Sequence, residues 1–227
     1  MLSQGAVRVA LQPVVDARSR KLAFHECLFR AAGDQVSTAE TIKAAERLGF
    51  DAAIDHAVAR RAVEFLAESP QLRLSINVSG QTACDQGFAG ALFLAARSNR
   101  ATLSRLIVEI TETAPIADLQ LAKKFAEKLR AAGVRIAIDD FGAGHTSFAT
   151  LAALPVDIVK IDGHFIRNIA SPDAERGLFD QVLEVAASRK LETVAEWVET
   201  DADADYLQAR GVTYLQGRLF GMPELVS

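Results

Sequence analysis

Cysteine is scarce in this chain of 227 residues, and the two present, Cys27 and Cys84, have neither metal-ligand spacing nor a disulfide framework. A cysteine-ligated metal and a disulfide scaffold are thereby excluded, and a reducing compartment is favoured. Long apolar runs are also missing. Nothing approaches the ~20 residues that a bilayer-spanning helix needs, and the N-terminus carries no signal-peptide core, so a cytoplasmic protein is expected. The net charge of −4 supplies no general attraction for nucleic acid or an anionic membrane. DNA is therefore not an expected partner, and a polyanionic ligand would need a local positive device such as metal ions with a few Arg and Lys. No Gly-x-Gly-x-x-Gly opens a helix, which argues against dinucleotide binding. The four histidines form no His-Glu-x-x-His, and no Ser-His-Asp or Cys-His set is visible, which argues against a covalent nucleophile.

What is present is an ordinary globular balance, half apolar and 24% charged. The length fits one large domain, residues 1–227, and the usual span of an α/β barrel. Because the first strand begins so close to Met1, the chain is expected to be a piece of a longer protein. Val7–Val15 and Leu22–Phe29 read as strands joined by the polar turn Asp16–Arg20, a β-hairpin. Helical stretches follow at Thr38–Gly49 and Asp51–Ser69, then a strand at Leu72–Val78, a helix at Phe88–Ala96 and a strand at Leu106–Ile110. The next helix has Pro115 near its start, an apolar repeat of Leu121, Phe125 and Leu129, and Gly133 at its end. Further strands are expected at Val134–Asp139, Val156–Ile161, Leu191–Ala195 and Val212–Leu215. Helices separate them, after Thr146, at Ala174–Arg189 and at Ala202–Ala209. Eight strands alternating with helices predict parallel βαβ units and a closed barrel more than an open doubly wound sheet.

The stretch Arg135–Gly144 anchors the chemistry. A short apolar strand runs into two adjacent carboxylates, Asp139 and Asp140, and then a glycine-rich turn. Two acids emerging from a buried strand repel each other and desolvate poorly, and a hard divalent cation compensates both. Alone, Asp-Asp-Phe-Gly reads equally well as a turn that caps the next helix. The other strands decide between these readings. Their C-terminal ends carry Glu26, Asn77, Glu109, Lys160, Glu196 and Gln216, and in a parallel barrel those ends share the face where active sites form. Alternation aims them together: Ile107 with Glu109, Ile158 with Lys160, Val194 with Glu196.

Five carboxylates and an amide make an oxygen-rich pocket suited to Mg²⁺ or Mn²⁺, with Ca²⁺ possible, and unsuited to zinc. Acids sharing two cations about 3.5–4 Å apart are the arrangement for in-line phosphoryl chemistry. Lys160 would neutralise a phosphate or steady the attacking water, or else form a structural ion pair with Asp139 or Glu109. His25 should face away from Glu26, His56 lies on a helix, and His145 and His164 belong to loops or a helix start.

These blocks resemble the EAL-domain cyclic di-GMP phosphodiesterases. The signature tripeptide stands as Glu26-Cys27-Leu28, followed by Phe29-Arg30. Leu11-Gln12-Pro13, Ser75–Ser79, Val108–Glu112, Asp139–Gly144, Val159–Asp162, Ala195–Thr200 and Tyr214–Gly217 match in order, so the resemblance runs from Val9 to Phe220. It implies a modified TIM (β/α)8 barrel with an antiparallel first strand. It further implies that Glu26, Asn77, Glu109 and Asp139 hold one Mg²⁺ or Mn²⁺, and that Asp139 bridges to a second ion with Asp140 and Glu196. Ca²⁺ would be an inhibitory occupant. Lys160 would contact the hydrolytic water or the scissile phosphate, with Gln216 and Asp162 in support and Asp162 towards the substrate. Gln12, Arg30 and Glu199 would contact substrate, and Glu112 would steady the loop that couples metal occupancy to a dimer interface. The implied reaction converts cyclic di-GMP to linear pGpG. A homodimer attached to sensory or other signalling domains is the implied assembly. The alternative reading is a catalytically silent cyclic di-GMP receptor acting through a protein partner.

Departures from the family pattern locate where these expectations are tested. Cys27 stands in place of the usual Ala, a small-for-small exchange with little expected effect. Trp197 stands in place of the usual Gly, and either displaces Glu196 or packs outward between strand and helix. Ala143 and His145-Thr146 replace the commoner residues after Asp140, which bears on regulation more than chemistry.

Overall fold

The protein is described by a computed structural model over residues 7–31, 37–97, 99–111, 116–142 and 148–226. Strands β1 (Val7–Asp16) and β2 (Leu22–Ala31) form the expected hairpin, Val9 opposite Phe29 and Gln12 opposite Glu26. Helices α1 (Thr38–Leu48) and α2 (Asp51–Glu68) follow, then β3 (Leu74–Ser79) and three short helices, α3 (Gly80–Ala83), α4 (Phe88–Ala95) and α5 (Arg100–Leu103). Next come β4 (Leu106–Thr111), α6 (Leu119–Ala131), β5 (Arg135–Phe141), α7 (Phe148–Ala153) and β6 (Ile158–Ile161). A 3₁₀ turn at Gly163–Phe165 leads to α8 (Gly177–Arg189), β7 (Glu192–Ala195), α9 (Asp201–Ala209), β8 (Tyr214–Gln216) and β9 (Glu224–Val226).

Strands β2 to β8 pair in parallel in sequence order, and β1 closes the ring by pairing antiparallel with both β8 and β2. The result is the closed eight-stranded α/β barrel with an antiparallel first strand. A ninth strand was not expected. β9 adds to the first half of β1, Val9 opposite Val226 and Leu11 opposite Glu224, which satisfies an edge that β8 is too short to cover.

Alternation along the strands builds two separate apolar layers. Leu106, Val108, Ile110, Ile136, Ile138 and Val159 point outward and pack beneath the helices. The inward set is small: Val14, Phe24, Ile107, Ala137, Ile158 and Val194 fill the barrel interior. Helix α6 shows how a helix joins the outer layer. Asp118 caps it by accepting from the backbone N–H groups of Gln120 and Leu121, and Ala122, Phe125, Ala126 and Leu129 form its buried stripe. Phe125 and Leu129 of the expected repeat are buried, Leu121 only partly, and Ala122 and Ala126 complete the stripe. Gly133, at φ +99°, ends that segment in a conformation L side chains rarely adopt.

Cys27 lies on the outward face of β2 and is 1% exposed; burial, with Glu26 next to it, pushes its thiol up to about 12. Cys84 is half-buried. In a native thiol-labelling assay at neutral pH, Cys84 is expected to react and Cys27 to stay protected until denaturant is added. Equal labelling rates for the two thiols would contradict this placement.

Candidate active site and its carboxylate centre

Two residues beyond the interior layer, each of the seven parallel strands β2 to β8 places a polar side chain. Phe24 is followed on the same face by Glu26, Ser75 by Asn77, Ile107 by Glu109 and Ala137 by Asp139. Ile158 is likewise followed by Lys160, Val194 by Glu196 and Tyr214 by Gln216. The parallel registers raise these side chains to one level at the C-terminal mouth of the barrel. There Glu26, Asn77, Asp139, Lys160, Glu196 and Gln216 line a cleft of about 420 Å³ whose far wall is made by α1 and α2, with Glu109 buried beneath them.

Lys160 stands at the centre with its side chain 1% exposed. Its Nζ lies 2.7 Å from Glu109 Oε2, 2.8 Å from Asp139 Oδ1, 2.8 Å from Glu196 Oε1 and 3.5 Å from Glu26 Oε2. The structure therefore draws the lysine into pairs with both residues proposed from the sequence, and with two more acids. Burial alone would lower the Lys160 pKa, but Asp139, Glu109, Glu196 and Glu26 outweigh it and hold the ammonium well above the usual lysine range.

One ammonium cannot balance so many carboxylates. Burial, with the negative neighbours Glu26 and Asp139, carries Glu109 up to about 8 despite Lys160. Burial and Asp139 carry Asp140 up to about 6. Asp139 is also raised and Glu196 is raised well above the carboxylate range, burial leading in both. Glu26 moves the other way. Its burial is overcome by Lys160 and by hydrogen bonds from Gln216 and Asn77: Asn77 Nδ2 donates to Oε1 at 2.7 Å and Gln216 Nε2 to Oε2 at 2.7 Å.

Two groups of acids have oxygens within 4.8 Å of one another: Glu26, Glu109 and Asp139, and then Asp139, Asp140 and Glu196. Asp139 belongs to both. Adjacent residues on a regular strand face opposite ways, so the pairing of Asp139 with Asp140 needs an explanation. β5 carries a register break against β6, with Ile138 opposite Val159 and Phe141 opposite Ile161, and Asp140 sits in it at φ +50°. This bulge turns Asp140 back into the cleft beside its neighbour. Asn77 Oδ1 is buried with no hydrogen-bond partner, an unmatched hard oxygen beside the first group. The donor set, the surplus negative charge and this orphaned oxygen all fit a divalent cation of the Mg²⁺ or Mn²⁺ type.

The remaining expected residues divide. Gln12 and Arg30 line the cleft. Gln12 Nε2 donates to Gly221 O at 3.2 Å and its Oε1 accepts from Gln216, and Arg30 Nη1 donates to Phe29 O at 2.7 Å. Asp162 and Glu199 stand off the cleft wall. Asp162 is buried and caps the 3₁₀ turn through the His164 backbone N–H, while Glu199 pairs with Arg218 at 3.1 Å. Glu112, Ala143, His145 and Thr146 lie outside the described residues.

Trp197 does not displace Glu196, which keeps its contact with Lys160. Nor does it pack between strand and helix. Its backbone adopts the left-handed region at φ +54°, and the indole lies on the cleft rim over Gly163, where any Cβ would meet it at 2.1 Å. Gly163 is the glycine this contact requires.

Sequence reasoning missed Asp55. This α2 carboxylate accepts from Ser79 N at 2.9 Å, Ser79 Oγ at 2.9 Å and Thr82 Oγ1 at 2.7 Å, clamping the chain two residues past Asn77. No local signal points to it, since the partner is distant in sequence. Asp55→Ala is expected to lower the unfolding free energy by about 2 kcal/mol, because it strands buried donors. Urea denaturation measures this, and an unchanged midpoint would remove the clamp from the account.

The EAL domain profile matches residues 1–223. The chain is 31% identical over 220 residues to the cyclic di-GMP phosphodiesterase PdeF of Escherichia coli, covering 94% of this chain and 29% of that protein. It is 34% identical over 196 residues to the cyclic di-GMP phosphodiesterase PdeB of Shewanella oneidensis, covering 85% and 23%. The chain thus spans less than a third of the length of these relatives. Among solved structures, the EAL domain of FimX from Pseudomonas aeruginosa, bound to c-di-GMP, superimposes with a TM-score of 0.86 at 26% identity, covering 98% of this chain and 93% of that one. With a profile match over almost every residue and this agreement of folds, the chain belongs to the EAL domain family.

Proposed function

We propose that this chain is a metal-dependent phosphodiesterase that hydrolyses one 3′-O–P bond of cyclic di-GMP to give linear pGpG. The observation that carries the reading is Asp139, shared between two carboxylate groups at the mouth of the barrel. Support also comes from the relatives named for this activity.

Glu26, Asn77, Glu109 and Asp139 would hold one Mg²⁺ or Mn²⁺, and Asp139, Asp140 and Glu196 a second. When bound, such a pair supplies a water made nucleophilic at neutral pH and offsets the charge on the phosphate oxygens. The protein's own groups do the rest. Gln216 and Asn77 hold the Glu26 carboxylate by both oxygens, fixing its orientation. Lys160, held among acids, would supply a positive charge to the hydrolytic water or the scissile phosphate. Arg30, on the cleft wall, would offer a planar donor fork to a phosphate of the substrate. Burial keeps these charges in a medium where they act strongly, so alignment and electrostatics carry the reaction with no covalent intermediate. The attached domains that regulate the whole protein, and a homodimeric assembly, belong to the same proposal.

Incubation of the purified protein with cyclic di-GMP and Mg²⁺ or Mn²⁺ is expected to yield pGpG by chromatography. Glu26→Ala is expected to reduce turnover below detection. Tight nucleotide binding without pGpG in either metal would replace this reading with that of a silent receptor.

The charge surplus also predicts a pH dependence. Glu109 rises from 4.5 to about 8 on folding, so the folded state favours its protonated form. That contribution to stability is complete below pH 4.5 and is lost as pH rises through about 8. The melting temperature of chelator-treated protein is therefore expected to fall across this window, and added Mg²⁺ to raise it most at the alkaline end. A gain from Mg²⁺ that is as large at pH 5 as at pH 8 would contradict the assignment.

A further inference from the structure

Trp197 is the one tryptophan of the chain, and no step above uses it. Its position is costly to maintain: a bulky residue at φ +54° occupies backbone space that suits glycine. The neighbours over-determine it. The indole lies against the bare Cα of Gly163. The His164 ring packs on it at 4.9 Å, tilted by 48°. The Arg167 guanidinium stands 5.6 Å from the ring centroid. His164 is in turn tethered, with Nδ1 2.7 Å from Asp162 Oδ1. A large aromatic plane is thus fixed in place, yet Trp197 remains 44% exposed and lines the cleft next to Glu196 of the second carboxylate group.

A plane held rigidly at the edge of a charged site has a specific use. Nucleobases stack on aromatic side chains, and a pre-fixed ring loses little entropy on binding. We propose that Trp197 is a substrate-binding residue: its indole is the platform on which one base of the cyclic dinucleotide stacks when the phosphates occupy the carboxylate centre. This rests on the cyclic di-GMP reading of the same cleft. Stacking of this kind is tolerant of base identity, so Trp197 contributes affinity and the discrimination of guanine lies elsewhere. The contact is made equally in ground and transition states, and its loss therefore appears in KM and leaves kcat nearly unchanged.

Because there is a single tryptophan, the test is direct. Wild-type protein is titrated with cyclic di-GMP in Ca²⁺, with binding followed in parallel by indole emission and by calorimetry. Steady-state kinetics are run in Mg²⁺ for wild type, Trp197→Gly and Trp197→Phe. Glycine suits the left-handed backbone, so Trp197→Gly is expected to fold, which circular dichroism checks. The expected result is emission quenching that saturates together with the calorimetric isotherm. Binding by Trp197→Gly should be weaker by about tenfold or more, with KM raised and kcat retained, and Trp197→Phe should recover part of the loss. Calorimetric binding with unchanged emission, and a Trp197→Gly variant that binds as tightly as wild type, would overturn the platform while leaving the nucleotide reading intact. Absence of any binding by the wild-type protein would overturn both.

Discussion

A single ammonium surrounded by carboxylates governs this structure. Lys160 is buried at the mouth of the barrel, and four acids from the ends of four different strands lie around its Nζ. Such a group is stable only if the ion finds its partners, since an unpaired charge at that depth is prohibitively unfavourable. Each strand must therefore arrive in register to deliver its acid. The apolar layer directly below, Val14, Phe24, Ile107, Ala137, Ile158 and Val194, gives those strands a floor that excludes water from beneath. The chemistry on top and the packing below are consequences of the same two-residue alternation.

The acids still outnumber the cation, and that imbalance is the functional content of the site. A fold selected for stability alone would place apolar side chains here or pair its charges evenly. Instead, Glu109, Asp139, Asp140 and Glu196 all have raised pKa values, burial being the leading cause in each. Two left-handed non-glycine residues, Asp140 and Trp197, lie at the second carboxylate group. Backbone strain and electrostatic strain coincide there, a pattern associated with sites built for binding and not for rigidity.

Much of this was legible in the chain. The hairpin start, the alternation of strands with helices and the polar residue ending each strand all follow from local pattern, and they sufficed to bring Glu26, Glu109, Asp139 and Lys160 to one place. What was not legible depends on distance or on a break in periodicity. β9 is only Glu224–Val226 and has no apolar alternation of its own; it exists because β1 outreaches β8. The β5 bulge reverses the direction that alternation assigns to Asp140, and no residue type announces it. Asp55 lies on a helix a full unit away from the strand end it clamps. Neither placement expected for Trp197 puts it on Gly163, because the sequence does not reveal that glycine lying under it. Asp162 caps a turn and Glu199 pairs with Arg218, contacts set by neighbours that local sequence does not name.

Gly217 has a wider effect than its size suggests. A Cβ there would come within 2.2 Å of the Val198 carbonyl, so the two backbones touch. Val198 N–H donates to Gln216 O, and Leu219 N–H donates to Val198 O. The segments following β7 and β8 are therefore sutured, with Glu196 on one side of the seam and Gln216 on the other. Neither backbone segment can shift without hauling the other along, so the main chain on this flank of the barrel mouth moves as a single plate or does not move.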